Sequence, residues 1–88
     1  METGGWSDFV SPISEEQEKV FDKAMEHFTG VKYTPIAAAE QVVAGMNFCY
    51  ICLARIVIPD ASVTVAKVTV YAPPSGVPHI TAIEPVAP

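Results

Sequence analysis

Only one stretch of this 88-residue chain carries the 3.6-residue period of a helix. Ser14 and Gln17 form a capping box at its start, and Glu15 and Glu16 fill a first turn where the helix dipole favours negative charge. Val20, Phe21, Ala24, Met25 and Phe28 then follow at helical spacing, opposite Glu18, Asp22, Lys23 and Glu26. Gly30 stands where a C′ glycine ends a helix, so the reading is a helix over 14–29. His27 falls late in it, where the dipole suits a cation, and the acidic side reads as a solvated face.

Everything downstream reads as β-structure. Tyr33 to about Val43 is a strand, with Pro35 near its start where a missing N–H does least harm. Ala37-Ala38-Ala39 is weak for a strand, but no cap precedes it and Val42-Val43 follow. Met46 to Ile58 is the strongest strand, rich in β-branched and aromatic residues. Phe48, Tyr50, Cys52, Ala54 and Ile56 share one side; Asn47 and Arg55 mark the other as the solvent side. Pro59-Asp60-Ala61-Ser62 is a turn, Val63 to Tyr71 a strand, Pro73-Pro74-Ser75-Gly76 a hairpin tip, and His79 to Ile83 a last strand. Residues 1–13 form an arm, in which Phe9-Val10 can add a short strand before Pro12, and 85–88 a proline-bounded tail. The expectation is a single α+β domain over 1–88: antiparallel strands across 33–84 with one helix on their inner face.

Composition excludes several partners. Five basic residues stand against ten acidic, a formal charge of −5. Nucleic acid and anionic membrane surfaces want clustered Lys and Arg. No run approaches the about 20 apolar residues of a membrane span. The opening lacks the basic and apolar regions of a signal peptide, which points to the cytoplasm; a secreted protein already stripped of its leader would read the same. Cys49 and Cys52, three positions apart on one strand, point to opposite faces. They cannot form a disulfide without distortion and read as free core thiols in a reducing compartment.

The segment that does not fit a plain hairpin is Gln41-Val42-Val43-Ala44-Gly45. It is uncharged, ends in glycine and lies between two strands. Apolar tips of this kind mark interaction sites. In a meander, successive turns alternate ends of the sheet, so this tip and Pro73–Gly76 fall at the same end. An arm pairing beside them brings Gly4-Gly5-Trp6 there too. Three uncharged segments then line one edge as an apolar wedge.

Along nearly its whole length the chain resembles the cystatins, inhibitors of papain-like cysteine proteases, and their intracellular stefin branch most closely. The resemblance rests on the opening Met1-Glu2-Thr3-Gly4-Gly5-Trp6-Ser7, the single helix, Gln41-Val42-Val43-Ala44-Gly45 and the proline-bearing second tip, in family order and spacing. It implies a cystatin-like fold, an antiparallel four- to five-stranded sheet wrapped on one α-helix. It implies a reversible inhibitor rather than an enzyme, with no cofactor, that plugs the cleft of cathepsin-class proteases without bonding to their cysteine. The trunk glycine matches Gly4 or Gly5, the stefin-like opening favouring Gly4. The first loop matches Gln41, Val42, Val43, Ala44 and Gly45; the second lies at Pro73, Pro74 and Ser75, its family proline matching Pro74. The trunk would lie on the non-primed side and the loops on the primed side. Ser75 stands where many secreted cystatins have tryptophan, and Glu2-Thr3 precede Gly4 where an apolar residue would suit better. The first loop is therefore expected to dominate binding. Trp6 can add contact or pack on its own sheet.

Other readings are weaker. Cys49-Tyr50-Ile51-Cys52 has redox spacing, but such motifs place the first cysteine at a helix N-terminus. Zinc wants four ligands, and His27 and His79 are the only histidines. Cys49 with His79 as base is a nucleophile reading without further support. A cystatin-fold protein that no longer inhibits, using the same edge as a binding module, is the alternative function. The chain is expected to be a monomer, with exchange of the hairpin between two copies a second possibility.

Overall fold

The structure, a computed structural model, describes residues 4–86. It is an α+β fold in which one helix, α1 (Glu15–Ala24), packs on a four-stranded antiparallel sheet. The strands β1 (Val31–Val43), β2 (Gly45–Ile56), β3 (Val63–Ala72) and β4 (His79–Pro85) follow one another across the sheet in chain order. Each pairs with its neighbour in sequence, as hairpin connections dictate.

The capping box at Ser14 is formed. The Gln17 backbone N–H donates to Ser14 Oγ at 3.1 Å, and the Ser14 N–H donates to Gln17 Oε1 at 2.8 Å. Gln17 also ties α1 to the sheet: its Nε2 donates to Glu40 at 2.7 Å, and its carbonyl accepts from the Tyr50 hydroxyl at 2.7 Å. One side of the sheet meets the helix. There Phe21 sits edge-on to Tyr50 with ring centroids 4.9 Å apart, among buried Ala38, Phe48, Cys52, Val68 and Val70. Phe48, Tyr50, Cys52 and Ala54 of β2 are thus buried on this side, with Ile56 at the strand end exposed, and Leu53 and Arg55 are exposed on the other side.

The three alanines belong to β1, with Ala38 and Ala39 buried on opposite faces. Ala38 lies in the core with Phe21 and Tyr50, and Ala39 lines a groove with Trp6 and Phe9 on the other side. At Pro35 the ladder slips, so that Ile36 bulges from the pairing. A residue without an N–H cannot continue a regular ladder, and a bulge absorbs it.

Several boundaries differ from the sequence reading. The helix ends at Ala24, with Met25 as its cap, and does not reach residue 29. Its last bonds tighten, the Glu26 N–H donating to the Lys23 carbonyl and the Phe28 N–H to the Met25 carbonyl. His27, Phe28 and Thr29 hold no favourable place in a further turn, being aromatic or β-branched, and Phe28 is half exposed. Gly30 does adopt a positive φ, 91°, but as the reversal into β1 rather than as the helix stop. His27 is solvent-facing beyond the helix. β1 begins at Val31, two residues early, and β4 continues to Pro85, which falls in the expected tail. The arm pairs with β1 through single bridges, Trp6 to Gln41 and Val10 to Ala38, rather than as a full strand. No helix among the described residues is long and apolar enough to cross a membrane.

Candidate binding edge

The first tip is as tight as a hairpin allows. Val43 pairs with Gly45, leaving Ala44 alone in the turn. Gly45 has φ 96°, the left-handed region open to glycine. A Cβ there would also collide with the Ala72 carbonyl oxygen and lie 3.1 Å from both Pro73 Cα and Pro74 Cδ. The base of the second tip therefore rests directly on the glycine of the first. The two tips stand side by side, as the alternation of turns requires.

The arm joins them. The Gly4 N–H donates to the Val42 carbonyl at 3.2 Å, and the Gly4 carbonyl accepts from Gln41 Nε2 at 2.8 Å. Ser7 continues the attachment: its N–H donates to the Glu40 carbonyl and its Oγ accepts from the Glu40 N–H, both at 2.8 Å. Gly4, Gly5, Gln41–Gly45 and Pro73–Ser75 thus gather at one end of a molecule 47 Å long. Within the edge, Gly4, Gly5, Ala44, Pro74 and Ser75 are exposed, and Val42 and Val43 are half-buried. Glu2 and Thr3, the departures ahead of Gly4, lie outside the described residues.

Four residues of this edge were not read from the sequence as supports or contacts. Asn47 Nδ2 donates to Gln41 Oε1 at 2.8 Å, so the Gln41 amide bridges arm and β2. The Tyr71 hydroxyl donates to the Ala44 carbonyl, pinning the turn to β3. His79 packs edge-on against the Tyr71 ring, centroids 5.6 Å apart. Val77, one residue past the second tip, is 60% exposed and extends the edge with an aliphatic side chain. The signal for the first three is cross-strand register: Gln41, Asn47, Tyr71 and His79 form one row on the outer face. Trp6 is 47% exposed, flanking a groove on that face with Phe9, Ala39, Cys49 and Thr69.

Cys49 and Cys52 are free and buried, on opposite sides of the sheet. Burial raises the Cys49 thiol and pushes Cys52 up to about 12. Burial thus favours the protonated thiol at both positions, the opposite of the lowered pKa that marks a redox or nucleophilic cysteine. Among the described residues, Gly4, Gly5, Gln41–Gly45 and Pro73–Ser75 carry no ionisable side chain, so what these segments can do chemically is exclude water and offer backbone hydrogen bonds. Comparison with protein-family models, with curated proteins and with solved structures finds no match to this chain.

Proposed function

We propose that the chain is a cystatin-like, stefin-type inhibitor that reversibly occludes the cleft of papain-like cysteine proteases. The observation that carries this reading is the contact of Gly45 with Ala72–Pro74 together with the bonding of Gly4 to Gln41 and Val42. These contacts make three separate uncharged segments one rigid rim. Val42, Val43 and Ala44 have little side-chain entropy to lose on burial, and a tip held at both strands and at Tyr71 needs little ordering. The arm adds a second point of attachment on the same target, which raises affinity through effective concentration. Free buried thiols accord with a cytoplasmic setting.

The test is a titration of papain and of a cathepsin, each of known active-site content. Reversible inhibition at nanomolar concentration or tighter is expected. No inhibition at tens of micromolar would overturn the proposal and leave the edge as a binding module of another kind.

A further inference from the structure

The end of the molecule opposite the rim carries a second unexplained surface. Ile56 ends β2, paired with Val31 on β1, and Val57 and Ile58 run on beyond it, past the last β2–β3 pair at Arg55 and Val63. They are 52, 71 and 58% exposed, three consecutive aliphatic residues where a hairpin connection is ordinarily polar. Beside them Lys32 and Arg55 stand directly opposite each other on the outer face, both exposed. Like charges in that position repel. Among the described residues neither has a carboxylate within ion-pair distance, although the chain has twice as many acidic as basic residues. Lys32, Arg55, Ile56, Val57, Ile58 and Pro59 together line one depression of about 370 Å³.

We propose that this depression docks an acidic, aliphatic segment of a partner protein. Such a segment supplies in one piece the carboxylates that the cation pair lacks and the apolar side chains that Val57 and Ile58 call for. The charge distribution favours a peptide over an anionic membrane. A peptide meets chiefly the local Lys32–Arg55 field, whereas an extended lipid surface is also repelled by the rest of a chain of net charge −5. The surface lies far from the rim, so both ends can be occupied together.

The probe is a fluorescein-labelled decapeptide of alternating glutamate and leucine, followed by anisotropy against the full chain. Binding that weakens with salt is expected. Lys32→Glu with Arg55→Glu should weaken it at least tenfold, and Val57→Ser with Ile58→Ser by a similar factor, with melting temperatures held near the parent's since all four residues are exposed. Failure of the peptide to bind, or equal binding by these variants, overturns the proposal. So does binding only to vesicles of phosphatidylcholine and phosphatidylserine, or light scattering that shows the patch consumed in a dimer of this chain. Papain inhibition by the same variants should be unchanged, which keeps this result separate from the fate of the rim.

Discussion

Gly45 shows how one residue ties the conformation of one tip to the placement of the other. Its positive φ turns the chain, and its missing side chain lets the second tip close over it. Gly45→Ala should cost about 1–3 kcal/mol from strain alone, with the collision against the Ala72 carbonyl added, and should lower both the melting temperature and the inhibition of papain. Tyr71 acts differently. Its hydroxyl holds the Ala44 carbonyl, a group that water can satisfy when the hydroxyl is gone. Tyr71→Phe should therefore leave stability within about 1 kcal/mol of the parent and weaken inhibition roughly three- to tenfold, the cost of ordering a looser tip on binding. Unchanged inhibition would show that Tyr71 does not set the tip. Val43→Asp should lose roughly 100-fold or more, because a carboxylate would be carried into an apolar cleft; equal potency would place the contact elsewhere.

At the scale of elements, α1 depends on its first turn. Ser14→Ala removes one half of the box and loosens Gln17, which also holds Glu40 and Tyr50. A loss of about 1 kcal/mol is expected in urea denaturation, whereas Phe21→Ala, which empties the helix's one fully buried position, should cost about 3–5 kcal/mol. Strand order and both tips were legible because alternation and the Gly and Pro breaks are local signals. The end of α1 was not. Phe28 kept the helical period, but period counts spacing and ignores the weak propensity of His27, Phe28 and Thr29. The rim's segments were legible from the parity of turns, yet the Gln41–Asn47 and Tyr71–Ala44 links were not, because they depend on exact cross-strand register. The aliphatic run at 56–58 reads in sequence as the end of a strand, since nothing local reveals that the β2–β3 ladder stops at Arg55.

For the whole molecule, burial of the thiols makes the fold itself pH-sensitive. Cys52 has an ordinary value of 9.0 and a folded value of about 12, so its raised pKa stabilises the fold fully below about pH 9. That contribution is lost as pH rises towards 12, since the unfolded chain releases the proton first. Burial shifts Tyr50 in the same direction. Urea midpoints should therefore fall between about pH 8 and about pH 10.5, and more gently in Cys52→Ala. A midpoint independent of pH over that range would contradict a buried neutral thiol. Thiol reagents at neutral pH should label neither cysteine until denaturant opens the fold.

If the three segments at one end act as a single rim, a protease should protect all of them at once, which amide hydrogen exchange of the chain, alone and with excess papain, can read. The expected result is slowed exchange together at Gly4–Trp6, at Val42–Gly45 and at Ser75–Val77, with Val57 and Ile58 unchanged. Protection that spares Val42–Gly45, or that falls on the far end instead, would show that the three segments do not act together.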